Sequence, residues 1–252
     1  MALTGPAELL ATWEAGLAER AAGRALLLHR AARPGAAPDA LLSAPLGERA
    51  ADLFALRRAL FGDRMEVTLD CAAAGCGAAL EFELDAGELA AARPGPPEGG
   101  LPVAEGEWSL RFRLPGAADL AAVAAAHPPD EAHARHLLAT RCVLAARRAG
   151  REATAEDLAH LPETVLKRFA EAAEEADPGA ELTLDVACPE CGAPTPAELD
   201  IAAYLWTELD AWARDLLLDV HLLASAYGWS EPEILALSPL RRRYYLELCA
   251  DA

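Results

Sequence analysis

Cys188-Pro-Glu-Cys191-Gly192 sets two thiols three positions apart ahead of a glycine. At that spacing both sulfurs and the backbone N–H groups of a tight turn can close on one metal ion. Cys71-Ala-Ala-Ala-Gly-Cys76-Gly77 is a wider version, with four residues between its cysteines. Together the two knuckles offer Cys71, Cys76, Cys188 and Cys191, the ligand set of a tetrahedral structural zinc ribbon with no position open for water or substrate. The residues alone also allow free buried thiols, or a redox pair at Cys188 and Cys191. No βαβ pattern surrounds that pair, as a thioredoxin-like motif would require. Cys142 and Cys249 stand alone in the sequence and read as core residues.

Other side chains carry weaker signals. His127, His133 and His136 cluster, and His133 and His136 could share a helical face, but no third ligand motif accompanies them and they read as surface. His221 lies inside a long helical pattern and reads as a core or interface histidine. No Gly-x-Ser-x-Gly, Walker-type loop or His-Glu-x-x-His occurs, so catalysis has no positive support. Arg241-Arg242-Arg243 opens the last helical stretch and could contact phosphate in the manner of a helix-turn-helix, yet Glu231, Glu233 and Glu247 surround it. A salt-bridged protein contact is the preferred reading there.

The elements that must position these residues follow from periodicity. Leu10, Trp13, Leu17 and Ala21 predict one amphipathic helix over residues 7–30, and Leu53, Leu56 and Leu60 a second over about 46–61. The period then changes to two. Met65, Val67 and Leu69, then Leu80, Phe82 and Leu84, alternate with polar residues around the first knuckle and predict a β-hairpin. Residues 93–106 hold too much Pro and Gly for regular structure and predict a surface loop, after which Trp108 to Leu114 alternate as a strand. From Ala117 to Ala176 the pattern is helical, broken at His127-Pro-Pro129 and near Gly150. Glu181-Leu-Thr-Leu-Asp185 nearly repeats Glu66-Val-Thr-Leu-Asp70, and each copy runs into a cysteine pair, so one small unit is read as duplicated, with the 111 residues between the knuckles as an insertion.

The final long helix carries Ile201, Leu205, Leu209, Trp212, Leu216, Val220, Leu223 and Tyr227 in one stripe, which needs a partner surface. Gly228 ends it, Ser230-Glu-Pro-Glu233 has the form of a capping box, and Ser238-Pro239 restarts the chain. The segments are thus an N-terminal helical region at 1–62, the first knuckle with loop and strands at 63–116, a helical insertion at 117–180, and the second knuckle with C-terminal helices at 181–252, read together as one unit. The predicted fold class is α+β, predominantly α-helical, with small β-hairpins forming a zinc-ribbon-like element.

Composition bounds the function. The chain has 252 residues and a formal net charge of −18, so it repels a polyanion unless a local patch escapes the average. With 53% hydrophobic and 25% charged residues it is too apolar to be disordered. No apolar run of about 18 residues or basic leader stands out, which predicts neither a membrane span nor a secretory signal and makes the thiols cytosolic.

Several blocks in order resemble a known family. They are Leu46-Gly-Glu-Arg49 with Leu56-Arg57 and Phe61-Gly62, Cys76-Gly-x-x-x-Glu-Phe82, Arg113-Leu-Pro before Asp119-Leu120, and Asp177-Pro178 before Cys188-Pro-x-Cys-Gly192. The most specific run is Leu205-Trp206-x-Glu208, Ala211-Trp212-Ala213, Val220-His221-x-Leu223-Ala224, Tyr227-Gly-Trp-Ser-Glu231, Ile234-Leu235-x-Leu237-Ser238 and Arg241-Arg242-x-Tyr244-Tyr245-Leu246. Over roughly residues 8–248 the chain resembles the baseplate-protein family of contractile tails and extracellular contractile injection systems, which is similar to a T-even phage baseplate hub assembly chaperone. The sequence departs from that pattern in its widened first knuckle and in Gly192-Ala-Pro-Thr195, where relatives often carry His and Trp.

The resemblance implies a non-enzymatic assembly factor or minor baseplate component, working in the bacterial cytoplasm during assembly or staying in the particle. Its implied partners are baseplate, hub or spike proteins. Neither a nucleic acid nor a small-molecule substrate is expected. Trp206, Trp212, His221, Tyr227, Trp229, Arg241, Arg242 and Tyr245 form the candidate partner surface, since aromatic residues and arginine dominate protein hot spots. The aromatic cluster of Tyr227, Trp229, Tyr244 and Tyr245 reads equally as a local core closing the helical hairpin. The alternative function is a zinc-ribbon regulator placing its Arg-rich helix on DNA.

Overall fold

The computed structural model describes residues 5–89 and 99–250. Helices α1 (Pro6–Leu17), α2 (Ala21–Ala32), α3 (Pro38–Ser43) and α4 (Leu46–Phe61) precede a hairpin of β1 (Arg64–Asp70) and β2 (Ala79–Asp85), which runs into α5 (Ala86–Leu89). Strands β3 (Leu101–Glu105) and β4 (Trp108–Phe112) lead to α6 (Ala117–Ala125) and α7 (Glu131–Cys142). Then come β5 (Val143–Arg148), β6 (Arg151–Glu152), α8 (Ala155–Ala159) and α9 (Glu163–Ala176). A second hairpin, β7 (Thr183–Ala187) and β8 (Pro194–Glu198), is followed by α10 (Ile201–Tyr227), α11 (Glu231–Leu235) and α12 (Pro239–Ala250). The fold is α+β and mainly helical, and its sheets are small and antiparallel. Internal contacts divide the chain into two compact units, Met1–Ala31 with Ala202–Ala252 and Ala32–Ile201.

In the unit Ala32–Ile201, the first hairpin pairs Met65 with Leu84, Val67 with Phe82 and Leu69 with Leu80. A period of two therefore gathers the whole apolar set on one face and leaves Glu66, Glu81 and Glu83 exposed on the other. The second hairpin repeats the arrangement with Leu184 opposite Ala197 and Val186 opposite Thr195. Between the hairpins in sequence lies a separate core, in which β3, β4, β5 and β6 form a sheet in that order. Trp108, Leu110 and Phe112 turn inward from β4 against Val165, Leu166 and Phe169 of α9, and the Phe112 and Phe169 rings lie 4.4 Å apart. Each such buried side chain contributes about 1.5–3 kcal/mol over leaving it in water.

In the other unit, α10 buries Leu205, Leu209, Leu216 and Leu223 of the expected stripe together with Ala213, whereas Trp212 and Val220 are half-buried and Tyr227 is exposed. Trp206 is buried as well, beneath the Arg24 guanidinium 4.6 Å from its ring centroid, and a Cβ at Gly16 would overlap that ring. Trp13 Nε1 donates to Asp210 Oδ1 at 2.8 Å. Gly228, at φ +69°, closes α10, while Ser230 donates from its N–H and hydroxyl to Glu233 in the expected capping box.

Three sequence expectations need correction. The helix over residues 7–30 is broken at Ala18-Glu19-Arg20, and the Gly16 carbonyl left at the end of α1 accepts from Arg24 Nε at 3.0 Å. The insertion is not wholly helical, because Val143–Arg148 pairs with β4 and turns into β6 through Ala149 and Gly150, both at positive φ. The predicted loop over 93–106 gives way to strand β3 at Leu101–Glu105, whose edge position tolerates Pro102, while positions 93–98 of that loop lie outside the described residues.

Candidate metal centre

The cysteines sit in the two hairpin turns, and both turns close by the same rule. Cys71 N–H donates to the Ala78 carbonyl and Cys188 N–H to the Ala193 carbonyl, each at 2.9 Å and each two residues past the second cysteine of its knuckle. Gly77 at φ +63° and Gly192 at φ +74° follow those second cysteines, in a backbone region that residues with a Cβ rarely adopt. The two extra residues of the first knuckle are absorbed by a bend in which Gly75 takes φ +81° and Cys76 N–H returns to the Ala73 carbonyl.

This geometry brings together sulfurs from opposite ends of the insertion. Cys71 Sγ lies 3.7 Å from Cys191 Sγ, and Cys76 Sγ lies 3.8 Å from Cys188 Sγ. The four ligand atoms all fall within 4.8 Å of one another. A regular tetrahedron of thiolates around an ion at about 2.3 Å has edges of about 3.8 Å, so the four sulfurs fit one tetrahedral metal ion. Cys71 and Cys188 are buried, Cys76 is half-buried and Cys191 is exposed. Leu69, Leu80 and Val186 pack around the buried side. Among the described residues, this is the one group of three or more His, Cys, Asp or Glu side chains placed to share an ion.

Thr195, which the sequence reading assigned no role, completes the site. It is 3% exposed, its hydroxyl donates to Cys71 Sγ at 3.8 Å, and the same oxygen accepts from Ala72 N–H at 3.3 Å. With the Ala73 N–H at 3.4 Å, Cys71 thus has two donors aimed at its sulfur. The Ala73 N–H holds the Cys71 thiol down at about 7 against the opposing effect of burial, with Cys188, Cys191 and Thr195 assisting. Cys76 is pushed up to about 12 in spite of a hydrogen bond from the Ala78 N–H, because Cys191, burial and the other two thiols oppose a second negative charge. A cation at the centre removes that conflict, since all four sulfurs can then be thiolates. Four protein ligands leave no coordination position for a substrate.

The other sequence-nominated residues are dispersed. His133 pairs with Asp130, its Nδ1 2.7 Å from Oδ1, and belongs to no ligand cluster. His221 is exposed on α10, which excludes the core half of its core-or-interface reading, and Trp212 is half-buried on the same helix. Trp206 and Arg242 are buried, the latter with Nε donating to Asp219 Oδ2 at 3.1 Å. Tyr227 and Trp229 stack at 4.6 Å, and Tyr245 meets both edge-on at 5.7 and 4.9 Å. Arg241 is exposed at the start of α12. Cys142 is fully buried and Cys249 half-buried. No helix among the described residues is long and apolar enough to cross a membrane. Comparison of the chain with protein-family models, with curated proteins and with solved structures gives no match.

Proposed function

We propose that the chain is a non-enzymatic assembly factor or minor component of the baseplate of a contractile, phage-tail-like injection system. In this reading a structural zinc ion on Cys71, Cys76, Cys188 and Cys191 fixes the two hairpins, and the C-terminal helices engage hub, spike or other baseplate proteins. Four thiolates are a soft donor set, which favours zinc over magnesium or calcium. The observation that carries the partner role is the outer side of α10, where Leu217, Leu218 and Leu222 are 37%, 55% and 44% exposed on a helix whose other side is already filled. Neighbouring Tyr227, Trp229 and Tyr245 add the aromatic content of a protein hot spot. The sequence blocks that resemble the baseplate family fall most densely on these same helices.

The DNA-binding alternative has less support. Arg242 is buried against Asp219, so the middle one of the three arginines is already committed within the chain, and phosphate would have to displace that carboxylate to reach it.

The test is a tagged pull-down from the native host, with mass spectrometry of the captured proteins and electron microscopy of particles from a deletion strain. Recovery of hub, spike or baseplate proteins together with missing or unsheathed particles is the expected result. Normal particles, with transcription proteins or DNA in the capture, would overturn it. Trp229→Ala should weaken capture and leave the fold intact; global unfolding would assign the aromatic cluster to a local core instead.

A further inference from the structure

Of the four sulfurs in the two knuckles, one faces solvent. Cys71 and Cys188 are buried, Cys76 is half-buried and Cys191 is exposed. A structural metal holds its cysteines as thiolates, the form of sulfur that attacks an oxidant, so exposure decides which of the four an oxidant in solution reaches first. The sulfurs also pair across the hairpins. Cys71 Sγ approaches Cys191 Sγ to 3.7 Å, and Cys76 Sγ approaches Cys188 Sγ to 3.8 Å, each within hydrogen-bond geometry for thiols. A disulfide of about 2.05 Å asks the first pair to close about 1.7 Å, a displacement within reach of side-chain rotation at the exposed Cys191.

We propose that Cys191 is a site of reversible oxidation, at which hydrogen peroxide converts the metal clasp into a disulfide clasp between Cys71 and Cys191, a step that rests on the zinc reading of the site. The Cys191 thiolate attacks the peroxide, breaks its O–O bond, becomes a sulfenic acid and releases hydroxide. The Cys71 thiolate then attacks Cys191 Sγ, forms the S–S bond and expels a second hydroxide. Two electrons pass from the two sulfurs to the peroxide. An ion left with Cys76 and Cys188 alone has lost half of its ligands and dissociates.

The outcome differs from that of chelation. Cys71 lies in the turn between β1 and β2, and Cys191, 120 positions later, in the turn between β7 and β8. A bond between them keeps the two turns joined after the metal has gone. A bond between Cys188 and Cys191, inside one knuckle, would leave the hairpins without a covalent tie.

Titration of the purified full chain with hydrogen peroxide tests the proposal, with zinc release followed by a colorimetric chelator, thiols counted under denaturing conditions and disulfides mapped by tandem mass spectrometry. Cleavage after Glu190 separates Cys188 from Cys191 in the map. One equivalent is expected to release the bound zinc, lower the thiol count from six to four and yield a Cys71–Cys191 linked peptide, all reversed by dithiothreitol and added zinc. Amide protection in β1, β2, β7 and β8 should survive this oxidation, whereas chelation without oxidant removes it. A bond within either knuckle, Cys191 carried to the sulfinic acid with no cross-link, or protection lost in spite of the bond would overturn the proposal. Protein that carries no zinc before the titration would overturn the metal reading instead, and the peptide map would still decide the disulfide.

Discussion

The Gly47 N–H donates a 2.9 Å hydrogen bond to Asp177 Oδ2, across 130 positions of sequence. Gly47 is the second residue of α4, whose N-cap is Pro45 and makes no side-chain cap. The carboxylate that terminates α9 therefore performs the capping that the local sequence cannot, and meets the positive end of the helix dipole. A Cβ at Gly47 would overlap that carboxylate, so this close approach needs glycine.

Asp177→Ala is accordingly expected to lower the stability of the unit Ala32–Ile201 by about 1 kcal/mol, the usual loss for a cap. Gly47→Ala should also destabilise, although alanine is intrinsically the better helix former by about 1 kcal/mol. Urea unfolding of both variants checks this. A neutral or stabilised Gly47→Ala would mean that Asp177 swings aside without loss.

Much of this fold was legible because local signals agreed with the tertiary outcome. Periodicity places α4 at its observed bounds, finds the alternation of β1 and β2, and picks out Leu205, Leu209, Leu216 and Leu223 on the inner side of α10, though not Trp206 or Ala213. The four cysteines were readable because spacing and a repeated flank pointed to the same chemistry. What stayed hidden depends on contacts distant in sequence. Val143-Leu-Ala-Ala-Arg-Arg148 alternates poorly and becomes a strand through pairing with β4. Thr195 is not a ligand type, and only the approach of the two hairpins turns it toward Cys71. Gly47 with Asp177, and Arg113 with Asp119, stood out as residues of ordered sequence blocks but not as pairs.

Thr195→Val keeps the shape of the side chain and removes its hydroxyl, leaving Ala72 N–H without that acceptor and Cys71 with one donor fewer. Partners of this kind typically alter metal affinity about 10–100-fold. The variant should bind zinc at the lower end of that range below wild type in a chelator competition. Equal affinity would make the hydroxyl a packing detail of the turn.

Removing the metal should act unevenly within the unit. An ion on the four cysteines would join two hairpins that flank, in sequence, a separate core of β3, β4, β5 and α9, whose buried residues form their own cluster. Structural zinc sites contribute on the order of 10 kcal/mol of folding free energy in small peptides. Cys188→Ser, or chelation, is therefore expected to abolish zinc content and amide protection in β1, β2, β7 and β8, while protection in β3, β4 and α9 persists. Hydrogen exchange read by mass spectrometry distinguishes the regions. Uniform loss would show that the inserted core depends on the clasp, and wild-type protein purified without metal and indifferent to chelator would remove zinc from the account.

Arg113 grips Asp119 through both guanidinium nitrogens, at 2.5 and 2.8 Å, while the Gly116 N–H and Arg141 Nε add bonds at 3.0 and 3.3 Å. The carboxylate is 2% exposed, and its ionised form is favoured first by the Arg113 hydrogen bond, against burial, so its pKa lies below the ordinary carboxylate value. The sign follows from that depression. In the unfolded chain Asp119 titrates near 3.9; above that value the folded state gains the full benefit of the ionised pair, and the benefit disappears as pH falls through the lower folded value. Asp119→Asn should thus be about 2 kcal/mol less stable than wild type at neutral pH, the scale of hydrogen bonds to a charged group. The difference should narrow progressively below about pH 4, because acid takes from the wild type what the substitution has already taken from the variant. Denaturant unfolding of both proteins between neutral and acid pH provides the comparison. A gap that stays constant across the range would assign the loss to the geometry of the β4–α6 junction rather than to the charge on Asp119.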